Sequence, residues 1–235
     1  MGRAYELRKG RRAKRFDRLS KAFTRLGKEI AMAVKQSGPH IDANPRLRTA
    51  VNNAKGVSMP KDRIDAAIKR ASEKDAKGFE EIVYEGYGPH AVAILIECAT
   101  DNLNRTVGNV RSYFTRNEGT LGKTGSLDFI FSRKGVFMLV GENQSIEDLE
   151  LELIDFGAEE VFEVDGNICV YTGFTDFGGM QKALETKGIL LISAELQRIP
   201  NTTIDLTEEQ EEEVLKLVDK FEEDDDVQAV YHNIS

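Results

Sequence analysis

From Arg11 to Lys35 the apolar residues fall at Phe16, Leu19, Phe23, Leu26, Ile30 and Val34. Alternating steps of three and four put them on one side of a helix. Turning about 100° per residue, Arg11, Lys14, Arg18, Lys21, Arg25, Lys28 and Lys35 fall on the opposite side. The segment reads as a helix with one packing stripe and one cationic ridge, stopped by Ser37-Gly38-Pro39. Asn44-Pro45 opens a second helix, with Asn as cap and Pro at the first helical position. Leu47, Ala50, Val51 and Ala54 are its inward residues, and Gly56 ends it. Pro60 opens a third, with Ile64, Ala67, Ile68 and Ala71 inward and Lys61, Arg63, Lys69 and Arg70 outward. Three amphipathic helices joined by short turns predict a small bundle.

After residue 80 the period changes from 3.6 to 2. Glu81–Tyr84 and Ala91–Cys98 read as strands around the turn Gly86-Tyr87-Gly88-Pro89, Asn104–Asn117 as a helix, and Leu127–Phe131 as another strand. A self-contained series follows: strand Val136–Val140, helix Ile146–Phe156, strand Glu159–Val164, strand Ile168–Thr172, helix Asp176–Thr186, strand Ile189–Ile199. Asp165-Gly166 is a tight-hairpin signal between the two middle strands. This β-α-β-β-α-β order is that of a ferredoxin-like fold. Thr207-Glu208-Glu209-Gln210 then fits a capping box before the stripe Val214, Leu215, Leu217, Val218, Phe221, and Val227–Tyr231 is a final strand. Because the preceding series is already complete, this last pair is expected to return to the sheet begun at residues 81–131. The fold class is therefore α+β: an N-terminal three-helix domain (1–77), a discontinuous α/β domain (78–132 plus 203–235), and a ferredoxin-like domain (133–202) inserted in it.

Charge sharpens this picture. Net charge is −8, yet residues 1–80 carry 21 Lys/Arg against 9 Asp/Glu, whereas residues 81–235 carry 11 against 31. A balance of +12 set against −20 points to a polyanion partner for the basic part. Lys and Arg that neutralise phosphates release counterions and supply most sequence-independent affinity for nucleic acid. Like charges crowded on one helix face disfavour the isolated helix slightly. The candidate contacts are Arg8, Arg11, Arg12, Lys14, Arg15, Arg18, Lys21, Arg25 and Lys28, with Arg46, Arg48, Lys61 and Arg63 at the edges. The competing reading is a solvated face balanced by the acidic remainder.

Other chemistry is sparse. Cys98 and Cys169 lie in apolar strand-like runs and read as small buried hydrophobes of a reducing compartment. No metal-ligand spacing joins them to His40, His90 or His232. Leu121-Gly122-Lys123-Thr124-Gly125 suggests a phosphate-binding loop, but that pattern needs Gly at 117, where Asn stands, and a preceding strand rather than a helix. No nucleophile with an adjacent base is apparent, so no enzyme, metal or cofactor is expected. No window holds the run of about 18 apolar residues that a membrane helix needs, and the N-terminus lacks the apolar core of a secretory signal. A cytoplasmic monomer is the default expectation. Tyr87, Asn104 and Arg105 sit in turn- and cap-rich segments that do not demand them. They are candidates for binding a partner or orienting domains.

Taken together, Phe23–Ile30, Asn44–Arg48, Met59–Asp62, Tyr84–Pro89, Thr100–Thr106 and Gly122–Ser126 resemble the YebC/PmpR family, whose mitochondrial relatives include the translational activator of cytochrome c oxidase. The resemblance runs in order through most of the chain. It implies a three-domain α+β protein, cytoplasmic in bacteria. It also implies one of two functions. Some members are called transcriptional regulators that bind DNA, and others are ribosome-associated translation factors assisting elongation through proline-rich stretches, with ribosomal RNA or tRNA as partner. The family's usual opening, Gly-His-Ser-Lys-Trp, is replaced here by Met1-Gly2-Arg3-Ala4-Tyr5-Glu6-Leu7-Arg8. A contact by that His, Ser or Trp is not carried over; bulk charge remains, with Tyr5 as a candidate stacking aromatic.

Overall fold

The computed structural model describes residues 3–73, 78–141 and 145–235, with side chains from residue 19 onward. The chain separates into two units, residues 1–79 and 80–235. In the first, α1 (Arg3–Ser37) packs against α2 (Pro45–Gly56) and α3 (Lys61–Ser72). The helix starts at Arg3, eight residues before the Arg11 start that the pattern predicts. Residues 3–10 are mostly Arg, Ala, Leu, Lys and Glu, which favour helix without any periodic pattern. Ile30, Ala33 and Val34 of α1 meet Leu47, Ala50, Val51, Ala54, Met59, Ile64 and Ala71 in one core, with Phe23, Leu26, Ala67 and Ile68 partly buried around it.

Asn44 fixes the α1–α2 corner. Its Oδ1 accepts the amide of Leu47 at 3.0 Å, which caps α2, while its Nδ2 donates to the carbonyls of Ala33 (2.7 Å) and Gly38 (2.9 Å). The residue is 1% exposed, so water cannot replace these partners. Asn44→Ala is expected to cost about 2–3 kcal/mol, from a lost cap and two lost buried side-chain hydrogen bonds, read as a lowered urea midpoint. Asn44→Asp keeps the cap acceptor but turns a carboxylate oxygen toward two carbonyl oxygens in a closed site, so it should recover little of the loss.

In the second unit one sheet has the order β3-β1-β2-β8, built from β1 (Glu80–Tyr87), β2 (Ala93–Thr100), the two-residue β3 (Thr120–Leu121) and β8 (Val227–His232), all antiparallel. The last strand thus returns across the intervening chain to pair with β2. Helices α4 (Leu103–Arg116) and α7 (Glu208–Glu223) cover one face, where Phe114 and Phe221 pack with centroids 4.9 Å apart among Ile94, Ile96, Val110 and Leu217. A Cβ on Gly86 would stand 2.5 Å from the Thr120 carbonyl oxygen and 2.7 Å from Phe114, so β1 and β3 approach this closely only with glycine there.

The second sheet has the order β5-β6-β4-β7, from β4 (Phe131–Val140), β5 (Ala158–Val164), β6 (Asn167–Gly173) and β7 (Leu191–Pro200). With α5 (Ile146–Leu153) between β4 and β5 and α6 (Phe177–Lys187) between β6 and β7, this is the ferredoxin-like arrangement that the element order predicts. Asp165 and Gly166 both take positive φ, 51° and 76°, in the two-residue hairpin joining Val164 to Asn167. The fold class is α+β, a helical unit followed by two four-stranded antiparallel sheets with their helices.

One predicted strand is absent. Residues 124–130 form turns, and β4 begins only at Phe131. The amides of Ile130 and Phe131 both bond the carbonyl of Leu127, a helix-like turn that points Leu127, Ile130 and Phe131 together into the second face of the first sheet. That spacing (i, i+3, i+4) is helical, which the short apolar run concealed.

Candidate nucleic-acid interface

The cationic ridge of α1 is described from Lys21 onward; the side chains of Arg8, Arg11, Arg12, Lys14, Arg15 and Arg18 lie outside the described residues. Lys21, Arg25 and Lys28 are half-buried. Lys28 Nζ stands 5.0 Å over the Phe79 ring, and the Arg63 guanidinium of α3 lies 5.6 Å over Phe23 of α1, which brings an α3 cation beside the α1 stripe. Such stacking keeps a charged tip at the surface while its stem covers apolar atoms. Lys61 and Arg63 are exposed at the start of α3. Arg46 leans across the corner, donating to Gln36 Oε1 at 3.0 Å with Glu29 Oε1 at 3.6 Å, and Arg48, two residues on, is half-buried. Where the ridge would continue past Lys28 stands Met32, 8% exposed. Lys35 lies beyond it, its Nζ 3.4 Å from the Glu73 carbonyl. The described ridge therefore ends at Lys28.

In the second unit Arg105 is committed to the protein itself. Its Nε and Nη2 donate to Asp226 at 3.1 and 2.7 Å, and Nη2 also reaches Asp101 at 2.8 Å. Hydrogen bonding to Asp226, then to Asp101, raises its pKa above the ordinary arginine value. Asn102 caps α4 by accepting the Arg105 amide, while Asn104 is exposed on the first turn. Tyr87 is 37% exposed at the end of β1, before a turn in which His90 and Ala91 both hold positive φ. His90 Nε2 lies 2.8 Å from Glu213 Oε2, tying this turn to α7. The structure does not bring Tyr87 and Arg105 together: they lie at opposite ends of the β1–β2 hairpin, Tyr87 opposite Ala93, and Arg105 bonded beside Thr100.

The glycine-rich segment after β3 holds an anion, and the anion is the protein's own. The amides of Gly125 and Leu127 donate to the two oxygens of Glu85 at 2.8 and 2.7 Å, with Ser126 Oγ at 3.4 Å. Glu85 is 4% exposed on β1, so the loop's capacity for phosphate is already taken. Sequence reasoning missed both organising carboxylates, Glu85 and Asp226. Glu85 sits in the turn-rich segment Tyr84–Pro89 and Asp226 in an acidic run, but each acts on residues about 40 or 120 positions away, which local pattern does not report.

The two sheets meet at a polar seam. Arg198 Nε of β7 is 3.1 Å from Glu97 Oε1 of β2. Beside them burial, then Glu97 and Glu195, pushes the Tyr231 phenol well above its ordinary pKa. Burial also lowers the pKa of His232, whose Nδ1 has no hydrogen-bond partner among the described residues. Both cysteines are buried and unbridged. Among the described residues no group of His, Cys, Asp and Glu is arranged to hold a metal ion, and no helix is long and apolar enough to cross a membrane.

The class so defined is an α+β protein in which a cationic three-helix unit precedes a unit of two antiparallel sheets. Residues 3–74 match the TACO1/YebC protein N-terminal domain, and residues 79–234 match the TACO1/YebC second and third domain. The chain belongs to this family. It is 68% identical over 235 residues to a probable transcriptional regulatory protein of Cytophaga hutchinsonii, covering 100% of this chain and 99% of that one. It is 53% identical over 234 residues to the protein of the same description in Flavobacterium johnsoniae, with the same coverage. The crystal structure of a conserved hypothetical protein, Aq1575, from Aquifex aeolicus has the same fold: TM-score 0.81, 37% identity, covering 92% of this chain and 90% of that one.

Proposed function

We propose that the protein is a non-enzymatic, cytoplasmic regulator of gene expression that grips the backbone of DNA with its basic N-terminal helices. The observation that carries this reading is the cationic face of α1, opposite an apolar stripe used from Phe23 onward in the bundle core. Arg8, Arg11, Arg12, Lys14, Arg15, Arg18, Lys21, Arg25 and Lys28 contact phosphates, flanked by Arg46, Arg48, Lys61 and Arg63. The names of its relatives support a regulatory role. The second unit, read as a discontinuous α/β domain carrying an inserted ferredoxin-like one, sets orientation or holds a second partner, with Tyr87 and Asn104 as its exposed candidates.

A second reading, a ribosome-associated translation factor bound to ribosomal RNA or tRNA, is favoured by one feature. The ridge is Lys and Arg with no interleaved Asn or Gln to read adenine edges, a composition that suits backbone phosphates better than readout of a mixed base sequence. Titration of a promoter fragment and its scrambled counterpart at physiological salt separates the two. Operator recognition gives the promoter an advantage of roughly 10³-fold or more. Equal affinities, together with nuclease-sensitive sedimentation in ribosomal fractions, would leave the second reading standing instead.

A further inference from the structure

Between Lys134 and Lys182 there is no lysine or arginine, while residues 135–181 carry eleven Asp and Glu. Within that stretch α5 buries Leu149 and Leu153 against the second sheet and turns the rest of its surface outward. The outward arc is not uniformly polar. Leu151 is 73% exposed and Ile154, one turn on, 59%; Phe156 follows at 40%. Residues at i and i+3 are neighbours on a helix surface, so Leu151 and Ile154 form one apolar spot. Exposed Glu147 lies one turn before Leu151 in line with the spot, exposed Glu150 flanks it on one side, and exposed Asp148, Glu152 and Asp155 flank it on the other.

Helix chemistry accounts for part of this set. Glu147 and Asp148 lie in the first turn of α5, where the helix dipole favours acids. Glu150, Glu152 and Asp155 lie toward the opposite end, where it disfavours them and where no basic residue occupies the last turn. Lys187 offsets one of them, reaching Glu152 at 2.9 Å. An apolar spot at the centre of carboxylates set against the dipole is explained by a ligand better than by the fold.

We infer that the outer face of α5 and the turn after it is a docking site for a cationic amphipathic helix of a partner protein. Apolar anchors of that helix seat on Leu151 and Ile154, and its flanking lysines and arginines meet the surrounding acids, the usual way an amphipathic helix is recognised. Charge excludes the alternatives. A nucleic acid or an anionic bilayer would be repelled, so this site is separate from the ridge of α1. A second copy of the chain offers cations on α1, but from Phe23 onward the apolar stripe of that helix packs in its own bundle.

The test uses the full chain and a labelled 18-residue peptide with leucine at i, i+3, i+4 and i+7 and lysine elsewhere, followed by fluorescence anisotropy. The parent protein is expected to bind it, more weakly as salt rises. Leu151→Ser/Ile154→Ser and, independently, Glu147→Lys/Glu150→Lys should each bind roughly tenfold more weakly, as should a peptide with its leucines changed to serine. Nucleic-acid affinity should stay unchanged in both protein variants. Because all four positions are exposed, the variants should melt like the parent; were the serine pair to unfold, the lysine pair carries the test. The proposal is overturned if the parent fails to bind, or if both protein variants bind as well as the parent. It is also overturned if sedimentation shows a dimer of the parent that the serine pair abolishes, which would assign the face to a second copy.

Discussion

Changing Arg11, Lys14, Arg18 and Lys21 together to glutamine is expected to weaken DNA binding by roughly 10²–10³-fold at about 0.15 M salt, and to flatten the dependence of log affinity on log salt by about 3–4 units. Each phosphate contact on duplex DNA contributes about 0.9 to that slope, so four lost contacts set the size of both effects. These four positions follow the spacing three, four, three along α1. They avoid Lys28 and Arg63, whose stems cover Phe79 and Phe23 and whose loss would disturb packing as well as charge. Glutamine keeps helix propensity near that of lysine and arginine. Relief of like-charge repulsion at these spacings should raise helix stability by a few tenths of a kcal/mol per pair. Affinity and thermal stability are therefore expected to move in opposite directions, which a merely unfolded variant cannot imitate. Anisotropy titrations across a salt series, with circular dichroism melts of the same samples, read both. An unchanged slope would mean that the ridge faces water rather than phosphate.

The architecture was legible because period and order carry it. The stripe Phe23, Leu26, Ile30, Val34 and the capping residue Asn44 marked the bundle, and the β-α-β-β-α-β order marked the second sheet before any contact was known. Thr207 and Gln210 form the reciprocal cap that their spacing suggested. What stayed hidden is long-range polar chemistry. Gly122–Ser126 could be placed as a turn, yet nothing near it in sequence says that its amides close on Glu85. The same holds for Thr100–Thr106. Caps and turns explained Asp101 and Asn102, and Arg105 was left over as a candidate for an outside partner. Its partner is Asp226, 121 positions away, inside an acidic run that reads as a solvated turn. Hydrophobic pattern reports which face is buried; it is silent on which buried carboxylate meets which donor. The candidate interface rests on charge alone, and its limit at Met32 is set by burial that the charge pattern does not report.

Asp226→Ala is expected to destabilise the second unit by about 3 kcal/mol, lowering its melting midpoint by roughly 6–12 °C. The Asp226 side chain is 5% exposed, at the entry to β8. It accepts hydrogen bonds from Arg105, from Thr100 Oγ1 at 3.2 Å and from Thr106 Oγ1 at 2.9 Å, while its own carbonyl takes the amide of Ala99. Removing the carboxylate strands the Thr100 hydroxyl proton and the inner edge of a guanidinium, while Thr106 Oγ1 keeps Thr100 Oγ1 and the Asn102 carbonyl as acceptors; a lost acceptor in a closed site costs more than the hydrogen bond was worth. Asp226→Asn keeps the shape but turns an NH2 toward donors, so it should recover little of the loss. Arg105→Ala should be the milder change, since the arginine side chain is 46% exposed and water can enter in its place. The consequence is topological as well as energetic. The first sheet is interrupted after β3 by the whole of the second sheet and its helices, and it is completed only when α7 and β8 return. Asp226 is the point at which the returning chain is pinned to β2 and α4. Loss of that pin should therefore expose the amides of β2 and β8 to hydrogen exchange before those of β4 and β6. Equal protection of both sheets in Asp226→Ala would show that apolar packing around Phe221 holds the returning strand without it.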